Sequence, residues 1–577
     1  MTRSLKITTT VVLAGVIVAA GSLVLDGPDR PGTPPAAPAR GGELVASYRS
    51  EPVSFNRHLA SRAADDLFSR LTQGRLVRRH RITNEIEPRL AESWALADDG
   101  LTYTLALRRN VRFSDGEPFT SADVLFSFRA VYDDATNSQL AGELKIGGAP
   151  LDVSAPDDHT VVIRFPSPFG PGLRILDGLP ILPRHKLEAA LDEGRLREMW
   201  GTSTPPSELA GLGPFVLAEY TPGQRLVFAR NQNFWARDAA GVQLPYLDRL
   251  VVETVPEQNV EMLRLESGQL DLTTDEARPE DVAAFRRAAE AGRLQLVDVG
   301  IAIDPNLMWI NLRPDLKASD SKRAWLQSED FRRAISHAVD RDVFVNTVYL
   351  GAAEPIFGPV TPSYGIWYTP DLPVYAFDRT RAGSLLNGLG LADATGDGVL
   401  EDRSAAPVRF SLITQKGNNV RERSAAVIQD QLRQVGIVVD VVGLDQGAVF
   451  QRFSTGDYDA IFFGVDITDP DPALMAEFWL SSGAFHFWNP GQATPATEWE
   501  ARIDDLMRRH VTSLDLDERR DLFAEAQRIL AEHVPVLYFA APHVYVAVSP
   551  RVANATPAVT KPQVLWNAEV LAVKGGG

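Results

Sequence analysis

Residues 408–463 read VRFSLITQKGNNVRERSAAVIQDQLRQVGIVVDVVGLDQGAVFQRFSTGDYDAIFF. Val408 to Ile413 is an apolar, strand-like run. Val420 to Val435 places Val427, Ile428, Leu432 and Val435 on one helical face, and Gly436 follows where a helix stops. Ile437 to Val442 is a second, nearly all-apolar strand, Ala448 to Phe453 a short helical turn, and Tyr458 to Phe463 a third strand. The order β-α-β-α-β with continuously apolar strands predicts a parallel sheet covered on both faces. In such sheets ligands gather just beyond the carboxyl ends of the strands. Asp466 lies just past one of those ends and is the first candidate for a ligand contact, because a carboxylate there could hold a cationic group.

Upstream the texture changes. Thr102 to Leu107 alternates, with Tyr103, Leu105 and Leu107 on one face, and runs through Val111 and Phe113 into the turn Ser114-Asp115-Gly116. This predicts a half-buried sheet. Thr120 and Asp123 form a capping box that opens a helix carrying Val124, Phe128 and Val131. Asp515 with Glu518 does the same for a helix with Leu522, Phe523, Ala526, Ile529 and Leu530, which Pro535 ends. Strand-like and helix-like pieces alternate from Glu43 onward, as in α/β and α+β lobes. No repeat recurs at a fixed period.

The whole chain has 577 residues, too many for one compact core. Its 45% hydrophobic and 23% charged residues are those of a protein that folds in water. With 58 basic against 75 acidic residues, a balance of -17, its field repels nucleic acid and anionic lipid. There is no cysteine, which excludes disulfides, thiolate metal sites and a lipid-modified cysteine. Arg3 and Lys6 precede an apolar run from Val11 to Leu25, so residues 1–25 are expected to be a secretory signal cleaved after Ala20, or else an uncleaved anchor. Residues 26–42, with Pro28, Pro31, Pro34, Pro35 and Pro38, are expected to be an extended spacer. The mature protein is therefore expected outside the cytoplasmic membrane, attached to it only if the first segment is retained.

The stretch Asp99-Gly100-Leu101-Thr102-Tyr103-Thr104-Leu105, followed by Leu107-Arg108, Val111, Phe113-Ser114-Asp115-Gly116, Pro118-Phe119-Thr120 and Asp123-Val124, resembles the signature of the family 5 extracellular solute-binding proteins. These are peptide, oligopeptide and nickel receptors of ABC importers. Glu92-Ser93-Trp94, Gly213-Pro214-Phe215, Asn231, Phe234-Trp235, Asp340-Arg341 and Asp457-Tyr458-Asp459 agree in order. The resemblance implies an α/β, two-lobed periplasmic-binding-protein-like fold (type II, cluster C-like) with an additional small domain, closing on its ligand about hinge strands. The expected division is 43–86 with 210–305 and 534–577 as lobe I, 87–209 as the small domain, and 306–533 as lobe II. The implied partners are a peptide or other small solute and an ABC permease with its ATPase subunits, the receptor itself being a monomer without a cofactor or nucleic-acid partner.

In peptide-binding members an aspartate in a Trp-x-x-Asp-Tyr-x-Asp-Pro segment holds the ligand's α-amino group. Asp466 matches that aspartate and Asp469-Pro470 the downstream pair, with Phe463 in place of the tryptophan and Ile467 in place of the tyrosine. Two ring-rich segments, Ser363-Tyr364-Gly365-Ile366-Trp367-Tyr368 and Phe485-His486-Phe487-Trp488-Asn489, could line a pocket, so Tyr364, Trp367, Phe487 and Trp488 join the candidates. Met308 to Asn311 reads as a strand entering the second lobe, whose exposed side would bring Trp309 and Asn311 to the cleft. The run Arg75, Arg78, Arg79, His80, Arg81 reads as a solvated face, with a ligand carboxylate or the permease as the alternative. Asp393 to Gly398 imitates the start of a calcium loop, but Ser404 stands where a bidentate Glu is required, so a turn is expected. No stretch matches the P-loop, His-Glu-x-x-His, Gly-x-Ser-x-Gly or Gly-x-Gly-x-x-Gly patterns, and no metal site or catalytic residue is expected. The leading reading is an exported receptor, not an enzyme. Rival readings are an oligosaccharide receptor of the same fold, a secreted carboxylate-pair hydrolase, and an anchored sensor or chaperone.

Overall fold

The computed structural model describes residues 40–574. The segment expected to be a signal, and the spacer through residue 39, lie outside the described residues. Three sheets organise the chain. The stretch quoted above contributes the strands Arg409–Gln415, Val438–Leu444 and Ala460–Phe463 and the helices Asn419–Arg433 and Gln446–Thr455. Its three strands are mutually parallel, with Arg409–Gln415 between the other two. The helix begins where Asn418 accepts the free amide of Arg421, and it buries Ala425, Ile428 and Leu432 against the sheet.

The sheet is not parallel throughout. Leu307–Ile310 pairs antiparallel with Ala460–Phe463, and Val536–Tyr538 pairs antiparallel with Leu307–Ile310, giving five strands. Both added strands are segments at which the chain passes between sheets. Gln295–Ile301 belongs to an eight-stranded sheet with Glu43–Tyr48, Phe215–Thr221, Arg225–Arg230, Arg249–Thr254, Leu272–Thr273, Ala540–Val548 and Ala353–Pro355. Residues 302–306 lead from that sheet into the five-stranded one, and Phe539 alone separates Val536–Tyr538 from Ala540–Val548 on the way back. Two short crossings of this kind are what a hinge requires. Val536–Tyr538, within the expected 534–577 segment, pairs with Leu307–Ile310 of the 306–533 segment, and Ala353–Pro355, within 306–533, pairs with Ala540–Val548.

The third sheet has four antiparallel strands, Ala91–Leu96, Thr102–Leu107, Thr160–Arg164 and Asp152–Asp157. Leu105 and Leu107 are buried on one face, as the alternation predicts, and pack with Val124, Phe128 and Val131 of the helix Ser121–Tyr132. That helix opens with the reciprocal box in which Asp123 accepts the Thr120 amide at 2.9 Å. Asp515 caps Leu516–His533 by accepting the amides of Asp517 and Glu518. The segment from Asp393 is a turn closed on itself, the Asp393 carboxylate accepting the amides of Gly396, Asp397 and Gly398.

Candidate functional site

A cleft of about 1700 Å³ lies between the lobes, floored in part by the first hinge crossing at Ala302, Ile303, Asp304 and Asn306 and walled by all three sheet-bearing parts. The loop leaving Ala460–Phe463, residues 464–469, forms part of its wall. Asp466 projects from that loop with its side chain 81% exposed, and Lys561 is its nearest cation at 3.9 Å. Lys561 is equally far from Glu276. Attraction to Glu276, then to Asp466, Asp275 and Asp304, outweighs burial and raises the Lys561 ammonium above its ordinary value. Asp304, half-buried on the first hinge crossing, is pushed up to about 6 by burial, with Lys561 opposing and Glu276 and Asp466 reinforcing the shift. One region of the cleft is therefore rich in carboxylates, with a single lysine among them.

Asp469 lines the same cleft, but its carboxylate is engaged. Arg174 reaches its two oxygens at 2.9 and 3.0 Å, and Arg79 approaches at 3.1 Å. Arg79 also donates to the carbonyl of Thr468 at 2.7 Å. Both arginines are carried by the part built on the four-stranded sheet, where Val77 and Leu173 pack in one core, so these contacts tie that part to the second lobe. The Asp469 carboxylate thus bridges the two parts.

The remaining candidates are not presented to the cleft. Phe463 is buried, and its ring carries the guanidinium of Arg421 at 3.7 Å from the centroid. Arg421 in turn donates to the carbonyl of Gly464 at 2.9 Å and to Asn306 at 2.8 Å, fixing the loop that bears Asp466 to the hinge crossing. Trp309 is buried and stacks on Phe487 with centroids 4.6 Å apart. The strand Leu307–Ile310 is covered on both faces, so its alternation leaves no exposed side. Asn311 spends its amide on the carbonyls of Gly456 and Tyr458. Tyr364 donates to the carbonyl of Ile303 at 3.0 Å, and with Phe487 it borders a small cavity of about 40 Å³ behind the Asp466 loop. Trp367 lies under Arg519, and Trp488 donates to Glu500 at 2.9 Å. These rings are packed because burying an aromatic side chain returns several kcal/mol in removed apolar area, about 25 cal/mol per Å². The ring-rich loops turn inward.

The basic run departs most from its reading as a solvated face. Arg75, Arg79 and Arg81 are buried, and they join Arg57, Arg70 and Arg174 around Asp66, Asp177 and Asp469. Burial raises the Asp177 carboxyl, but Arg70, Arg81, Arg75 and Arg79 outweigh it and hold the group well below the usual carboxylate range. Asp66 is held at about 2 by the same balance, with Arg70, Arg75 and Arg57 overcoming its burial. The only hint of this wall in the sequence was a cluster of arginines in an acidic protein. Arg421, Lys561 and Asp304 carried no sequence signal, being single residues brought together from far apart.

Comparison with known proteins gives a consistent result. Residues 85–487 match the model for bacterial extracellular solute-binding proteins, family 5 middle. A probable ABC transporter-binding protein of Deinococcus radiodurans is 26% identical over 506 residues, 84% of each chain. The structure of the oligopeptide-binding protein AppA of Bacillus subtilis, in complex with a nonapeptide, is 23% identical, covers 93% of this chain and 99% of that one, and superposes with a TM-score of 0.69. The periplasmic binding protein MelB of Agrobacterium fabrum, in complex with stachyose, is 20% identical, covers 93% of this chain and 86% of that one, and superposes with a TM-score of 0.73. No helix among the described residues is long and apolar enough to cross a membrane. With its two lobes, hinge crossings, additional four-stranded domain and interlobe cleft, the chain belongs to the bacterial extracellular solute-binding proteins of family 5.

Proposed function

We propose that this protein is the exported receptor of an ABC importer, and that it captures a peptide or similar amino-bearing solute in the interlobe cleft and hands it to a membrane permease. The observation that carries this reading is Asp466, a carboxylate standing free in a cavity larger than the roughly 300–1,000 Å³ typical of sites for drug-sized molecules. Asp304, Asp275 and Glu276 surround it with further negative charge. A ligand ammonium held there gains charge-assisted hydrogen bonds, and closure of the lobes over it would exclude water from the pair. The family is one of binding proteins, and capture and release need no covalent step. The oligosaccharide reading loses its main support, because the ring-rich loops are packed inward and few rings, Tyr48, Phe169 and Tyr349, reach the cleft. Mass spectrometry of the solute that co-purifies with the full chain tests the reading. A peptide or other amine is expected; a neutral sugar would overturn it.

Asp304 gives this reading a pH dependence. A carboxyl at about 6 in the free protein is partly protonated in mildly acidic solution. A cation seated beside it favours the ionised form, so binding expels a proton and affinity falls as the pH is lowered below about 6. Calorimetry of a bound dipeptide at pH 5.5, in two buffers of different ionisation enthalpy, should show proton release. In the Asp304→Asn variant that release should disappear. Proton uptake on binding would contradict the assignment.

A further inference from the structure

The arginine wall is not balanced within the protein. Asp66 takes Arg70 at 2.7 Å and Arg75 at 3.3 Å, Asp177 takes Arg70 at 3.3 Å, and Asp469 takes Arg174 and Arg79. Two guanidinium groups remain. Arg57 stops 3.8 Å from Asp66, and Arg81 stops 3.7 Å from Asp177, both beyond hydrogen-bonding distance. Each is more than nine-tenths buried and lines the cleft, and the Nε of each has no acceptor among the described residues, although Arg57 also donates through its Nη1 to the Ala60 carbonyl at 2.8 Å. Arg81 has only long contacts otherwise, to the Thr468 carbonyl at 3.3 Å and the Thr560 hydroxyl at 3.5 Å. Both heads rest against the continuous chain Asp66–Arg70–Asp177, which holds them on one wall of the cavity.

A buried cation whose nearest carboxylates stay beyond hydrogen-bonding distance is costly, and an anion that arrives with the ligand and accepts from it reduces that cost. Burial, then the neighbouring Arg79 and Arg70, lower the Arg81 guanidinium well below its ordinary value, with Asp177 and Asp66 opposing the shift. Glu143 also lines the cavity and is close enough for Arg57 to oppose the upward shift that burial gives its carboxyl, but it makes no ion pair within 4 Å with either arginine. The long-range field is no explanation, because the protein as a whole is acidic.

We propose that Arg57 and Arg81 form an oxyanion subsite that holds a carboxylate or phosphate group of the ligand, in addition to the carboxylate-rich region around Asp466 that holds its cation. Planar guanidinium forks match an oxyanion with paired N–H donors. The cleft is then built for a solute carrying both charges, and the separation of the two regions selects among such solutes by length. This assignment rests on the reading of the cleft as the solute site.

The test titrates the full chain calorimetrically with tri-alanine, with its C-terminal amide, and with inorganic phosphate. In the wild type the amide should bind about 10- to 100-fold more weakly than the acid, the loss expected when a hydrogen-bonded charge is removed. In Arg81→Gln and Arg57→Gln that difference should shrink towards unity. Arg81→Lys keeps the charge without the fork and stands in should Arg81→Gln not fold, as judged by circular dichroism. An acid-to-amide ratio that is the same in wild type and variants, with the peptide still bound, overturns the subsite and leaves the proposed function intact. If neither peptide binds, phosphate decides: binding that Arg81→Gln abolishes upholds an oxyanion subsite for phosphate while the peptide reading fails, and absence of phosphate binding overturns the subsite too.

Discussion

Replacing Asp177 with asparagine lowers the free energy of unfolding by about 3–5 kcal/mol, the cost of leaving buried charge unpaired. Asp177 sits among Arg70, Arg75, Arg79 and Arg81, accepting from Arg70 side chain to side chain and from the Arg79 amide at 3.3 Å, while its backbone carbonyl accepts from Arg75 at 2.7 Å. Asparagine preserves the shape and removes the charge, so several guanidinium groups face one another in a low-dielectric wall. The shift should be read in the urea midpoint at pH 7. The pH dependence has a definite sign. Asp177 titrates lower when folded than when unfolded, so its contribution is complete above about pH 4 and fades as the pH falls further. The gap between wild type and variant should therefore narrow below pH 4. A difference of less than about 1 kcal/mol at pH 7 would mean that the arginines are solvated after all.

Asp469→Ala acts on closure. Asp469 belongs to the loop after the strand Ala460–Phe463, whereas Arg174 and Arg79 belong to the part built on the four-stranded sheet. Because these contacts bridge the two parts, opening the cleft is expected to break them. Removing the carboxylate leaves two cations facing each other and Arg81 nearby, which penalises the closed form by about 3 kcal/mol or more. If the ligand is held only in the closed form, its Kd rises by roughly two orders of magnitude, mostly through faster release. Calorimetry and small-angle scattering check the two halves of this account. The ligand-bound variant should scatter as a more open particle than the bound wild type. Unchanged Kd and unchanged scattering would reduce Asp469 to a surface ion pair.

What could be read from the sequence, and what could not, divides along the distance over which residues act. The strands at 409–415, 438–444 and 460–463 were legible because their apolar runs and the helix between them are local patterns. The capping box at Thr120 and the Asp515 cap were legible for the same reason, but Glu518 closes no box there, since its carboxylate accepts from Arg509 and Ser513 instead. Asp466 could be found from its place just after a strand end, and the structure does bring it to the cleft. Trp309 was misread because alternation implies a wet side only when one face of the sheet is open, and Leu307–Ile310 has both faces covered. The ring-rich segments could be read as pocket lining or as packing, because composition cannot tell the two apart, and in the structure Phe487 and Trp488 fill the core beside Phe478 and Trp309. The arginine run was misread as solvated because its counter-charges, Asp66, Asp177 and Asp469, come from three distant places in the chain. Phe463 shows a subtler case. It holds the place of a tryptophan and touches the site through Arg421, as the platform on which the loop's clamp rests.

The central claim is that Asp466 anchors the cationic end of the ligand. It is tested most directly by calorimetric titration of the wild type and Asp466→Asn with one peptide in two forms, with a free and with an acetylated amino terminus. The wild type should prefer the free amine by about 10- to 100-fold, as a charge-assisted hydrogen bond to a carboxylate allows, and Asp466→Asn should bind both forms with similar, weaker affinity. Equal affinity of the wild type and Asp466→Asn for the free amine would contradict the claim.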